Sequence, residues 1–285
     1  MQISLSGSTG FIGKHLMKKF IEKGWTVNVI NRDSFRMPDE EFAEKKIAGS
    51  DVIINLAGAI IAKKWSAAWK KEIFGSRVNT TRKIADGILL TQQRSLLFIS
   101  PSAIGIYDSS HRHEDESQYF SDDFLATVCR EWENQALRVK ERVRLVIFRT
   151  GVVLGKDGGM LQKIYPVFNI GLGGPIGNGK AMMSWIHIDD LVEAYLYAIE
   201  HKDIDGILNL VSPDPVTNRH FTQTFGKVLV QPAFVKVPLF SLKILFGEGA
   251  GSLTTGQEVF PSGLLKSGFT FKFPTIEKAL MNLYR

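Results

Sequence analysis

Seven residues near the amino terminus, Gly7-Ser8-Thr9-Gly10-Phe11-Ile12-Gly13, carry the strongest chemical signal in the chain. Glycine at 7 and 10 lets the backbone turn tightly and approach a pyrophosphate, whose charge suits the N–H groups at a helix start. Gly13 lets that helix pack closely on the preceding strand. Thr9, Phe11 and Ile12 belong to the same loop and are expected beside the same ligand. A triphosphate-binding loop would need a Lys-Ser/Thr pair after its last glycine, and here Lys14-His15 follow Gly13. A dinucleotide is therefore expected. Its type is read about twenty residues on, where an acid would bond the ribose 2′-hydroxyl of NAD. The chain has Asn31-Arg32-Asp33 there. Arg32 can fork onto a 2′-phosphate and Asn31 replaces the acid that would repel it, which favours NADP(H), with Asp33 keeping NAD(H) as the lesser alternative.

Other side chains invite chemistry and have plainer readings. Lys63-Lys-Trp-Ser-Ala-Ala-Trp-Lys-Lys71 mixes cations and aromatics as nucleic-acid surfaces do, but Trp65 and Trp69 fall four apart, as on one face of an anchored helix with solvated lysines. His111-Arg-His-Glu-Asp-Glu116 reads as a mobile charged loop rather than a metal site. Asp189 or Asp190 is expected to cap a helix beginning near Leu191, with His187 toward the cleft. Cys129 is the sole cysteine, read as a half-buried helix residue, and it excludes an internal disulfide or a thiolate-rich metal site.

These residues need a scaffold. Gln2–Leu5, Thr26–Ile30, Asp51–Leu56, Leu96–Ser100, Arg144–Phe148 and Ile207–Val211 are near-continuous apolar runs, the pattern of parallel strands covered on both faces. Helical periodicity lies between them, as at Ile12, Leu16, Phe20 and Ile21, and Gly24 stands where that helix needs a left-handed residue. The fold class is α/β, a doubly wound parallel sheet. Residues 1–212 form this core, loops within 155–180 reach the substrate cleft, and 213–285, with short helices and Pro/Gly breaks, form a small C-terminal lobe over the carboxyl ends of the strands. With 285 residues, 44% apolar and 35 Lys+Arg against 29 Asp+Glu, the chain is neither disordered nor fibrous, and its excess charge suits nucleic acid, a membrane or a small anion. No apolar run approaches the ~18–20 residues that cross a bilayer, and MQISLSG lacks a signal peptide's basic start and apolar core, so a cytoplasmic location is expected.

Taken with Asn55-Leu-Ala-Gly58, Glu72-Ile-Phe-Gly-Ser-Arg77, Arg149-Thr-Gly-Val-Val-Leu-Gly155, Gly171-Leu-Gly-Gly-Pro-Ile-Gly177 and Ser184-Trp-Ile-His-Ile-Asp-Asp190, the glycine loop makes the chain resemble extended short-chain dehydrogenases/reductases. Within them it is similar to the NAD-dependent epimerase/dehydratase branch, in the cell-division-inhibitor-like group of nucleotide-sugar epimerases. The resemblance implies a Rossmann core. It also implies that Leu56, Ala57 and Gly58 line the adenosine-ribose side, that Glu72 and Arg77 contact the cofactor with Arg77 neutralising phosphate, and that Val153 passes near the nicotinamide. Such proteins use a Tyr-x-x-x-Lys pair with a Ser or Thr. None of the six tyrosines here has Lys four residues on, and Leu125 and Cys129 stand at the two expected positions, while Ser102 matches the family serine.

Two readings follow from the resemblance and its departure. One is an NADP(H)-dependent oxidoreductase or epimerase acting on a nucleotide sugar or small carbonyl compound, with Ser102 orienting the oxygen and Tyr107 or water as proton donor. The other is a non-catalytic NADP(H)-dependent binding or regulatory protein. Both expect a small-molecule ligand, a monomer or homodimer, and no nucleic acid, membrane or metal.

Overall fold

A computed structural model of the chain describes residues 1–91, 96–238, 240, 247–251 and 255–285. The chain runs β1 (Gln2–Ser6), α1 (Phe11–Glu22), β2 (Thr26–Ile30), α2 (Asp39–Phe42), β3 (Val52–Asn55), α3 (Ala67–Leu90), β4 (Leu97–Ala103), β5 (Arg112–His113), α4 (Phe124–Leu137), β6 (Arg144–Thr150), β7 (Val152–Gly155) and α5 (Gly159–Asn169). It continues through β8 (Met182–Met183), β9 (Trp185–His187), α6 (Ile188–Glu200), β10 (Gly206–Leu210), β11 (Val216–Thr217), α7 (Asn218–Leu229), β12 (Glu258–Val259), α8 (Ser262–Lys266) and α9 (Ile276–Tyr284).

Six strands form one parallel sheet in the order β10-β6-β4-β3-β1-β2. Successive side chains of a strand point to opposite faces, and here both faces are apolar. Ile53, Phe98 and Ile147 pack with Ile84, Ile88 and Val139 on one side. Ile54, Ile99, Val146 and Phe148 pack with Leu16, Leu191 and Tyr195 on the other. This double burial is why the strands read as continuous apolar runs. Strand order reverses at β1, which has β2 on one side and β3 on the other, so a crevice opens beyond the carboxyl ends of β1 and β3.

β4 runs three residues past its expected end at Ser100, through Pro101. A proline inside a central strand lacks one ladder N–H. Here β3 pairs β4 only from Leu97 to Ile99, so from Pro101 onward one edge has no strand to serve, while the other stays in register with β6, Ser102 facing Arg149.

Past the sheet, a third apolar cluster joins Leu154, Leu161, Phe168, Met183 and Trp185 to Phe221, Phe225, Ile276 and Leu280, so α5, α7 and α9 pack together beside the β7–β9 pair. Of the short helices expected over 213–285, the described residues hold α7, α8, α9 and a 3-10 turn at Gly247–Ala250, while residues 239, 241–246 and 252–254 lie outside the described residues. Leu264, Phe269 and Phe271 join the cluster under the main sheet.

Helix α6 corrects an expectation. It starts at Ile188, three residues before Leu191, and its cap is His187, whose Nδ1 accepts the Asp189 N–H at 3.0 Å. Asp190, fully buried, instead accepts the backbone N–H groups of Lys272 (2.7 Å) and Phe273 (3.0 Å), tying the C-terminal segment to the core. Asp190→Ala strands two enclosed donors and is expected to lower stability by about 2–3 kcal/mol in urea unfolding; a loss under ~0.5 kcal/mol would show that the clamp is idle.

Candidate functional site

At the reversal point the glycine loop has two tight contacts that exclude larger residues. Gly7 adopts φ +67°, and a Cβ there would lie 2.5 Å from the Leu56 carbonyl oxygen; one on Gly13 would lie 2.2 Å from the Gly7 carbonyl oxygen. The loop is thus wedged between the ends of β1 and β3 and the first turn of α1. Gly10 is the N-cap of α1, with no side-chain cap and no acid in the first turn, so the helix presents uncancelled N–H groups and positive dipole beside exposed Thr9 and Gly10. Asn55 fixes the facing strand end: its Oδ1 accepts from Ser6 Oγ at 2.5 Å and its amide donates to Thr81 Oγ1 at 2.8 Å. Ser6 Oγ in turn accepts the Ala57 N–H at 3.1 Å.

Beyond β2, Asn31 and Ser34 close a small turn in which Asn31 Oδ1 accepts from both the N–H and the hydroxyl of Ser34, each at 2.9 Å. Asp33 is drawn away to Arg36 at 3.0 Å. Arg32 is exposed, and its guanidinium has no hydrogen bond or ion pair among the described residues. The rim therefore offers one uncommitted cation and no uncommitted acid at 31–33.

The Phe11 side chain packs toward the turn that follows β7. Its ring lies against Gly155 and Gly158, where added Cβ atoms would meet it at 2.4 Å, so the Gly155–Gly159 turn is built around this ring. His15 reinforces the joint through Asp157 at 3.0 Å. Ile12 and Val153 are half-buried against the core. Glu72 is exposed, its carboxylate without a partner among the described residues. Arg77 lies beneath Gly58, donating to Ala59 O (3.0 Å) and Ile73 O (3.2 Å), with its guanidinium 5.4 Å from the Trp132 ring centroid. Burial with no carboxylate beside it lowers its pKa. Its contacts brace the 57–59 loop.

At the carboxyl ends of β4, β6 and β10 a polar row crosses the sheet, Ser102 beside Arg149 beside Asn209. Glu133 of α4 closes it from above. Ser102 Oγ donates to Glu133 Oε1 at 2.6 Å, and Arg149 grips both carboxylate oxygens at 2.9 and 2.7 Å. Arg149 also donates to the Tyr107 hydroxyl (2.9 Å), which donates to Asn209 Oδ1 (2.9 Å). All five residues are at most 5% exposed. Tyr107 is fully enclosed and stacked on His113; burial raises its pKa, outweighing the opposing pull of Arg149. Burial penalises the Arg149 charge, yet its bonds to Glu133 raise its pKa on balance. Ser102 and Tyr107 have thus committed their protons inside the network. The expectation that Tyr107 serves as a proton donor meets a phenol with no face to the cleft.

Several other expectations change. Cys129 is buried, not half-buried, and burial with the nearby Glu133 charge pushes its thiol up to about 12. Trp65 precedes α3, whose N-cap is Ser66, so the two tryptophans do not share a helix face; Trp65 bonds Ile61 O and meets Phe124 edge-on, while Trp69 bonds Ile60 O under Lys63. The 111–116 segment is ordered, not a loose loop: β5 pairs with β12, His113 is buried, and Asp115 accepts the backbone N–H groups of Asn209 and Gly263. Among the described residues no group of three His, Cys, Asp or Glu side chains is placed to hold a metal, and no helix is long and apolar enough to cross a membrane. His187 is 1% exposed, its ring tilted against Phe273 with the centroids 4.0 Å apart, and its Nε2 has no hydrogen-bond partner among the described residues, so it serves the helix cap and not the cleft. Glu133 and Asn209 were missed. The signals were present, a carboxylate among the buried Val128, Trp132 and Ala136 of α4 and a lone amide in the apolar run of β10.

A doubly wound sheet with a glycine loop and an uncapped helix start at its reversal point is a Rossmann-type architecture. The chain belongs to the NAD dependent epimerase/dehydratase family, whose model matches residues 3–210; a domain of unknown function, DUF1731, matches 237–283. It is similar to the chloroplastic epimerase family protein SDR39U1 homolog of Arabidopsis thaliana, 38% identical over 98% of this chain and 86% of that one. The crystal structure of human epimerase family protein SDR39U1 with NADPH superposes with a TM-score of 0.92 at 32% identity, covering 100% of this chain and 99% of the other. A nucleoside-diphosphate sugar epimerase from Corynebacterium glutamicum superposes with a TM-score of 0.79 at 29% identity, this chain covering 58% of it.

Two measurements check this site. Glu133→Ala leaves Arg149 charged and enclosed and is expected to cost about 3–5 kcal/mol, whereas replacing the pair with Met at both positions should cost much less; equal losses in urea unfolding would refute the pairing. Burial lowers His187 to about 4 against the opposing charge of Asp189, while the unfolded chain takes up this proton near 6.5. Its contribution to stability is complete above pH ~6.5 and declines as pH falls toward ~4. In His187→Asn, whose amide oxygen can still cap α6, that part of the decline should disappear from the pH dependence of unfolding.

Proposed function

We propose that this chain binds NADP(H) at the sheet's reversal point and presents it to a small carbonyl or alcohol compound, nucleotide sugars included. The observation that carries this reading is Arg32, exposed and uncommitted where Asn31 and Asp33 are both engaged by their own turn. An anion with an extra phosphate on its ribose fits that rim better than one with a bare hydroxyl pair. The Gly7–Gly13 loop and the first turn of α1 would hold the pyrophosphate; Leu56, Ala57 and Gly58 would wall the adenosine side, and Val153 the nicotinamide side. The human relative's crystallisation with NADPH supports this choice. Bound there, the nicotinamide would supply hydride exchange. Arg77 would keep the 57–59 loop in place, and Glu72, free on α3, would accept hydrogen bonds from a sugar.

One observation favours the second reading, an NADP(H)-dependent binding protein without turnover. Ser102 and Tyr107 have spent their donors on Glu133 and Asn209, and Leu125 and Cys129 stand where a proton relay would be needed.

Calorimetric titration with NADPH and NADH, followed by reduced-nicotinamide absorbance over a panel of carbonyl compounds and nucleotide sugars, separates the readings. Turnover that Ser102→Ala abolishes while NADPH still binds supports catalysis; binding without turnover supports the second reading; no binding removes both. Arg32→Ala is expected to cost about 1–3 kcal/mol of NADPH affinity and little NADH affinity, and equal losses would refute its role.

A further inference from the structure

Acidic residues make up about one in ten of this chain, 29 of 285, yet residues 158–188 and 215–238 contain none. These two segments meet in space. Gly171 packs on Pro232, and the Val235 N–H donates to Gly173 O at 3.2 Å, which staples the turn after α5 to the turn after α7. At this junction large apolar side chains face outward, Val230 at 79% exposure, Phe234 at 75%, Ile170 at 66% and Leu172 at 54%. Val230 sits at φ +55°, the left-handed conformation that β-branched residues avoid and that glycine usually occupies after a helix. The turn therefore retains an apolar side chain at a position where backbone preference favours glycine.

The charged side chains within these two segments are all basic. Lys227 shares a groove with Phe234, Ala233 and Gln231, and Lys236, two residues after Phe234, is exposed. The adjoining groove between α7 and α9 has Glu277 as its one carboxylate side chain, held by His220 at 3.0 Å, with Lys227 and Arg285 along the same walls. A second copy of this face would bring like charges together. The apolar groups stand at the tips of two helix ends, a shape suited to insertion between headgroups, and the cations beside them match anionic ones.

We propose that this face docks on an anionic lipid surface, with Val230 and Phe234 entering the interface and Lys227 and Lys236 pairing with headgroups. The contact is peripheral and needs no membrane-crossing helix. Co-sedimentation of the full chain with phosphatidylcholine vesicles, with and without about one part in three phosphatidylglycerol, tests it. At least about tenfold stronger partitioning onto the anionic vesicles is expected, weakening with added salt. Val230→Gly with Phe234→Ser should lose most of it, since glycine suits the left-handed turn, and Lys227→Glu with Lys236→Glu should do the same. NADPH affinity and the far-ultraviolet circular dichroism should be unchanged. The proposal is overturned if the chain ignores anionic vesicles, binds neutral ones equally, or binds unaltered in the apolar variant. Self-association abolished by Phe234→Ser without vesicle binding would assign the face to a second copy and overturn it too.

Discussion

The forked ion pair between Arg149 and Glu133 is the interaction on which this end of the molecule depends. Both charges are withdrawn from water, and such a pair is tolerated only when the geometry is good and the remaining hydrogen-bonding capacity is filled. Ser102, Tyr107 and Asn209 fill it, so the requirement of one buried charge sets the positions of groups on β4, β6, β10 and α4 and on the segment after β4. Asn209 also reaches Phe260 O, and its N–H meets Asp115, which extends the same network to the C-terminal segment.

The network lies at the carboxyl ends of β4, β6 and β10. A working relay needs groups that change protonation state near neutral pH and that touch the substrate. The groups here have the opposite properties. Arg149 is held charged by its partner, and Tyr107 and the Cys129 thiol are held neutral by burial. Such an arrangement fixes the architecture firmly and leaves little freedom for acid–base work by these side chains.

The reversal-point crevice is built on a different rule. There backbone groups and one guanidinium are left unsatisfied at the rim, while rigidity is supplied from below by Ser6, Asn55 and Arg77. Arg32 stands at this rim and Lys227 and Lys236 on a segment, 215–238, that holds no acid, while other cations are paired at the surface, as Lys23 is with Glu200 and Lys45 with Glu41.

Periodicity and glycine placement in the sequence determined the parallel sheet, its approximate strands and the dinucleotide-type loop, because these follow from local rules: double burial writes continuous apolar runs, and a close backbone approach demands Gly7 and Gly13. The family match covering residues 3–210 agrees with that reading. Tertiary structure alone decided what each polar side chain does. His187 and Asp190 sit three residues apart in an obvious capping segment, yet the histidine caps and the aspartate reaches residues 272 and 273. Arg77, Tyr107 and Glu133 likewise have partners 18, 102 and 31 positions away. A buried polar group takes whichever partner the packing brings within about 3 Å, and that distance is set by the fold as a whole and by no spacing along the chain.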